Sequence, residues 1–239
     1  MRRLNGVAKK RGESMDFRRL AGWAGLLVVV LFVLNIVLSG SFPTSDDPTS
    51  EVGSYISEDV NMHKAALLVG VIAVIPIALF LAGFLIPFWK SDREHNEGVA
   101  ILIVLGFIFL AAGVVAGSAI LGALILRGGE ELDSSTVRAL WDAQTVAFTS
   151  GFIGLTVLAG GAAMGILRRG VTAAWLGWLS VLVAVLGLTG LFGMVSGSGI
   201  ANISFVAFIA FVVWIAAASY EMLTARSPAS SAGALTHSG

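Results

Sequence analysis

The chain has 239 residues, of which 56% are hydrophobic and 13% charged, with a net charge of zero and no cysteine. A mean hydropathy of +0.89 places it outside the soluble globular range. The lack of cysteine excludes disulfides, thiol nucleophiles, thiolate metal sites, iron–sulfur ligation and covalent c-type haem.

Six stretches contain no Asp, Glu, Lys, Arg or His: Leu20–Gly40, Ala65–Trp89, Val99–Leu126, Ala143–Leu167, Val171–Val195 and Ile203–Tyr220. Each is long enough, at about 1.5 Å per helical residue, to cross a hydrocarbon core of roughly 30 Å. The expected fold is therefore all-α: a polytopic six-transmembrane-helix bundle spanning residues 20–40, 65–89, 99–126, 143–167, 171–195 and 203–222. A basic segment (1–19) precedes the transmembrane domain (20–223), and an Ala/Ser/Gly-rich tail (224–239) reads as disordered.

The first segment carries Arg2, Arg3, Lys9, Lys10, Arg11, Arg18 and Arg19, and Met15 offers an alternative start. No folded basic domain or interleaved aromatics accompany these charges, so they are expected to set orientation and touch anionic lipid, not nucleic acid. The apolar run that follows exceeds a signal-peptide core and reads as a span. Within it Asn35 should point into the bundle, because a lipid-facing amide has no partner. An interhelical hydrogen bond is the expected use, with substrate contact as the alternative.

In the first loop, Asp47-Pro48-Thr49 has the form of a helix start, with Asp47 as cap. Val52, Tyr55, Ile56 and Val60 then recur at helical spacing. They predict a short amphipathic external helix lying on the outer membrane surface or capping the bundle. His63 and Lys64 share this loop with several acids. One histidine without a His-x-x-x-His spacing does not make a metal site, and the acids read as solvated.

In the second span Pro76 deprives the Ile72 carbonyl of its partner, predicting a kink that is either static or a hinge. Residues 90–97 read as a solvated mixed-charge connector. Gly106, Gly113 and Gly117 share one face of the third span. Asp133 or Ser134 should cap a helix that carries Val137, Leu140 and Trp141 into the fourth span. There Asp142, Thr145, Thr149, Thr156 and Gly160 fall within about 60° of one another on a helix. That stripe either lines a narrow polar path or consists of hydroxyls bonded to their own preceding turn. Small-xxx-small pairs at Gly113–Gly117, Gly161–Gly165 and Gly193–Gly197 indicate close helix approach. Trp214 is expected to pack between helices.

Orientation follows from the cations. Twelve of fifteen Lys and Arg residues fall on one side of a six-span chain; only Lys64, Arg127 and Arg138 fall on the other. Both termini are then cytoplasmic, in a plasma membrane. Asp46, Asp47, Glu51, Glu58, Asp59, Glu130, Glu131 and Asp133 fall outside. Trp23, Trp89, Trp175 and Trp178 mark the inner interface and Trp141 the outer one.

Absences narrow the function. The spans hold no facing histidine pair for haem, no lysine for retinal and no carboxylate to carry a coupling proton. No nucleotide loop or serine elbow appears. No cofactor is implied, and an enzyme is not expected.

His95-Asn96-Glu97-Gly98 leads straight into an apolar helix, and Arg168-Arg169-Gly170 precedes Thr172-Ala173-Ala174-Trp175-Leu176-Gly177-Trp178. With an acidic first external loop and six spans, the chain resembles uncharacterised six-span bacterial membrane families of the domain-of-unknown-function kind, frequent in actinobacteria. Such families usually carry Pro ahead of the Trp-Leu element, where this chain has Ala174. The resemblance implies a fold and no catalytic residues.

The functional expectation is a membrane protein that works by contact, as a partner subunit, scaffold or homo-oligomer among membrane lipids. The alternative is a facilitative path or binding site for a small neutral or lipidic substrate, resting on Asn35, Pro76, Thr145, Thr149 and Thr156.

Overall fold

Six apolar stretches become eight helices among the residues that the computed structural model describes, namely 2–44, 46–127, 132–191 and 198–224. They are α1 (Arg2–Ser39), α2 (Thr49–Ser57), α3 (Val60–Ile72), α4 (Val74–His95), α5 (Val99–Arg127), α6 (Ser134–Arg169), α7 (Ala174–Leu191) and α8 (Ser198–Thr224). Six segments are long and apolar enough to span a membrane: α1 from Phe17, α3 with α4, α5, α6, α7, and α8 from Ile203. The chain is a six-helix transmembrane bundle. The expected tail from residue 225 onward, Gly193–Gly197, Glu130 and Glu131 lie outside the described residues.

The second span is two helices. Pro76 has no amide proton to give the Ile72 carbonyl, and the chain responds by ending α3 at Ile72 and starting α4 at Val74. The interruption is short, because Ala73 N–H still donates to the Val69 carbonyl and Ile77 N–H to Ala73. A second proline, Pro87, lies inside α4 without ending it.

Neighbours in sequence are not equal neighbours in space. α6 packs extensively on α5 and α7, while α1 packs on α8, α4 and α3, and α7 on α8. The contacts of α5 with α3 and α4 are slight. Glycine explains the tightest pair. A Cβ on Gly113 would lie 2.7 Å from the Gly151 Cα, and one on Gly154 would drive into the Leu110 amide nitrogen and the Gly106 carbonyl. The two backbones therefore touch along this seam, the arrangement that small residues permit where water supplies no hydrophobic drive.

Two apolar cores result. The larger fills the half where α1 begins and α4, α6 and α8 end, here termed the basic end because Arg18, Arg19, Lys90, Arg93, Arg168 and Arg169 fall there. On α4, Phe80, Phe84 and Phe88 recur every fourth residue, and the Trp214 ring meets the Phe84 ring edge-on at 5.1 Å. Trp214 is 1% exposed, and its indole N–H donates to Ser180 Oγ at 2.7 Å, joining α8 to α7. Ser180 in turn donates to the Leu176 carbonyl, so this buried polar pair is satisfied.

The smaller core sits at the opposite, acidic end. α6 has 36 residues, about 54 Å at helical rise and well beyond a hydrocarbon core of roughly 30 Å. Its first turns project and take α2 against them. Val52 and Ile56 of α2 bury on Leu121, Leu124 and Ile125 of α5 and on Val137 and Trp141 of α6. The short amphipathic helix thus caps the bundle.

Candidate functional sites at the two ends of the bundle

The residues singled out from the sequence do not converge. Asn35 on α1 donates from Nδ2 to the Ala66 carbonyl of α3 at 2.7 Å. Pro76 is buried at the start of α4. The three threonines lie on α6, which packs on α5 and α7 while α1 packs elsewhere. Each hydroxyl bonds within its own helix: Thr145 to the Trp141 carbonyl (3.0 Å), Thr149 to Thr145 (2.8 Å) and Thr156 to Phe152 (2.9 Å). Thr156 also fills the space left by Gly187 of α7. Asp142, at the head of the stripe, is exposed and paired with Arg138 at 3.2 Å.

The cap at the acidic end holds what the stripe does not. The Tyr55 ring lies tilted against His63 at 4.2 Å and meets Trp141 edge-on at 5.5 Å, while Phe42 stacks on Trp141 at 4.7 Å. Trp141 is fully buried here, so it is a core residue of the cap and not a marker of the outer lipid interface. Three buried polar atoms in this region have no partner among the described residues: His63 Nδ1, Trp141 Nε1 and Gln144 Oε1. Gln144 lies within an uncharged, apolar stretch and is fully buried; its amide polarity is the one signal the sequence carries for it. His63 is also buried, unlike a solvated loop histidine.

The turn into α2 differs from expectation. Pro48 occupies the cap position without a side-chain bond. The Asp47 carboxylate instead accepts from the Thr44 amide (2.6 Å) and hydroxyl (2.9 Å), because its side chain turns back on the preceding loop. Arg138 fastens this loop by donating to the Asp47 carbonyl at 2.7 Å. Asp133 does cap α6, accepting from the amides of Ser135 and Thr136 and from their hydroxyls, and the hydroxyl bonds above all hold its carboxyl well below the usual range.

Burial pushes the Tyr55 hydroxyl up to about 12, and the same hydroxyl donates to the Ser39 carbonyl at 3.1 Å. The folded value lies above the ordinary one near 10. Its contribution is therefore fully present below about pH 10 and lost as pH rises through about 12. The chain has two tyrosines, so Tyr220→Phe isolates Tyr55. Absorbance at 295 nm should then show a single phenol ionising near pH 12 in the folded protein and near 10 after denaturation. A folded value near 10 would mean the cap does not bury Tyr55.

At the basic end the mixed-charge segment 90–97 is mostly exposed, as expected of a solvated connector, and Asp92 is the exception. Asp92 is 7% exposed and its carboxylate accepts from the amides of Val99 (3.2 Å) and Ala100 (2.7 Å), capping α5. Glu97 pairs with Arg169 at the end of α6, and that hydrogen-bonded guanidinium holds the Glu97 carboxyl below its usual range. The pair is present at neutral pH and lost as pH falls through the lowered value. Trp175 of α7 donates to Glu221 Oε1 of α8 at 2.8 Å. Between α1, α4, α7 and α8 lies a notch with about 10 Å³ of free space, bordered by Arg18, Thr172 and Glu221 over an apolar floor.

Among the described residues no three His, Cys, Asp or Glu side chains come within metal-binding range. No family model, no curated protein and no solved structure matches this chain.

Proposed function

We propose that this chain is a multi-pass protein of a bacterial plasma membrane, both termini cytoplasmic, that works by contact as a partner subunit or scaffold and not as an enzyme. The observation that carries the reading is the use made of intramembrane polarity. Thr145, Thr149 and Thr156 bond to carbonyls of their own helix, and Asn35 bonds α1 to α3. These are the groups on which a polar path would have to rest, and each serves packing. The glycine seam between α5 and α6 likewise leaves no lumen between those helices. A small neutral or lipidic substrate moving through the bundle is the second reading. It is favoured by the unpartnered atoms of His63, Trp141 and Gln144, which are concentrated at one mouth of the bundle.

Native cysteine is absent, so single cysteines separate the two. With Thr145→Cys, Thr149→Cys and Thr156→Cys in native membranes, a water-borne maleimide should label none of them beyond the level at Ala147→Cys and Leu155→Cys. Labelling of the three threonine positions alone would establish a path and remove the contact reading. In intact cells Ser50→Cys should react and Ser91→Cys should not; the reverse would overturn the orientation.

A further inference from the structure

The notch at the basic end holds one cation and one anion that do not pair with each other. Arg18 is half-buried, and its Nε is shielded from solvent without a hydrogen-bond partner among the described residues. Glu221 borders the same notch, its Oε1 fixed by the Trp175 indole. Thr172 also borders the notch, and Phe84, Phe88, Leu176 and Met222 supply its apolar lining. Neither charge has an ionic partner among the described residues, so a ligand that brings the complementary charges would satisfy both.

The level in the membrane narrows the ligand. Trp175, one turn from Thr172, is 47% exposed, and Trp23 and Trp178 nearby are 64% and 66% exposed. Exposed tryptophans of this kind sit at the depth of lipid headgroups. A phosphodiester suits Arg18, whose guanidinium matches phosphate oxygens, with the Thr172 hydroxyl as a further donor. Glu221 then requires a cation on the same headgroup. The free space in this partly open notch is small, about 10 Å³, close to what one water-sized group needs. It favours a compact primary ammonium over a bulkier trimethylammonium, and a phosphoglycerol offers Glu221 no charge at all.

We infer that this notch is a binding site for the phosphoethanolamine headgroup of an aminophospholipid, with Arg18 on the phosphate and Glu221 on the ammonium. The inference rests on the membrane placement and stands apart from the contact reading.

The test uses the full chain in nanodiscs of equimolar phosphatidylethanolamine, phosphatidylcholine and phosphatidylglycerol, followed by native mass spectrometry of the retained lipid. Phosphatidylethanolamine should be retained about tenfold over the other two, a ratio one charge-assisted hydrogen bond supports. Glu221→Gln keeps an acceptor for Trp175 and removes the charge, so retention should fall to that of phosphatidylcholine. Arg18→Gln should abolish retention of all three. Stepwise N-methylation of the lipid, read on the wild-type protein, should weaken retention at each methyl and needs no variant to fold. Equal retention of the three lipids, or an unchanged preference in Glu221→Gln, would overturn the site. Soluble O-phosphoethanolamine binding as well as the lipid would assign the notch to a soluble ligand and overturn the lipid.

Discussion

Gly154→Ala should destabilise the bundle by about 2 kcal/mol, although alanine is the better helix former by about 1 kcal/mol at an unobstructed site. The added methyl has nowhere to go: it meets the Leu110 amide nitrogen and the Gly106 carbonyl, which are backbone and cannot rotate aside. Relief requires α5 and α6 to separate, and that gives up dispersion contacts along the most extensive helix pair of the fold. Gly160, on the same helix, has nothing within 4 Å of the position its Cβ would take. Gly160→Ala should therefore be neutral to about 1 kcal/mol more stable, on propensity alone. Two identical substitutions six residues apart thus carry opposite signs. Helicity followed through an SDS titration in bicelles reads both, and losses of equal size would mean that the seam does not hold α5 against α6.

The number and type of the spans were legible because they depend on a property of the sequence alone. A run of about twenty uncharged residues can satisfy its backbone in a membrane only as a helix. The closeness of α5 and α6 was legible in part: glycines 106, 113 and 117 on one face announce a near approach, but not to which helix. Position along the chain offered α4 as readily as α6, and α5 touches α4 only slightly. Pairing is decided by whether two surfaces fit. Gly151 and Gly154 of α6 supply a smooth face, whereas α4 presents the large rings of Phe80, Phe84 and Phe88.

The candidate groups fared differently for a related reason. A helical wheel places Thr145, Thr149 and Thr156 together, yet says nothing of where a short hydroxyl finds its acceptor. The nearest carbonyl is one turn back, and each of the three takes it. The cap residues Tyr55, His63 and Trp141 come from three separate helices, and no period along one helix reveals such a meeting. Arg18 and Glu221 lie near opposite ends of the chain. Only the packing of α1 on α8 sets them at one notch.

Asp92→Ala should cost about 3 kcal/mol, because a cap is lost and two amides in a buried turn are left without acceptors. An aspartate in the last turn of α4 reads as solvated, since cap signals are sought immediately before the helix they serve. Asn96 changes this. Its backbone is left-handed at φ 54°, and it folds the chain so that the Asp92 carbonyl receives the amide of Glu97 while its carboxylate turns to Val99 and Ala100. A single side chain thereby fixes the α4–α5 turn and favours the positive end of the α5 dipole where that helix begins its span. Asp92→Asn retains one acceptor and loses the charge, so it should cost about 1 kcal/mol. Hydrogen exchange should report the same order locally, with amides 99 and 100 losing protection in the alanine variant and partly in the asparagine one. Equal stability of the wild type and Asp92→Ala would mean that this carboxylate does not hold the turn.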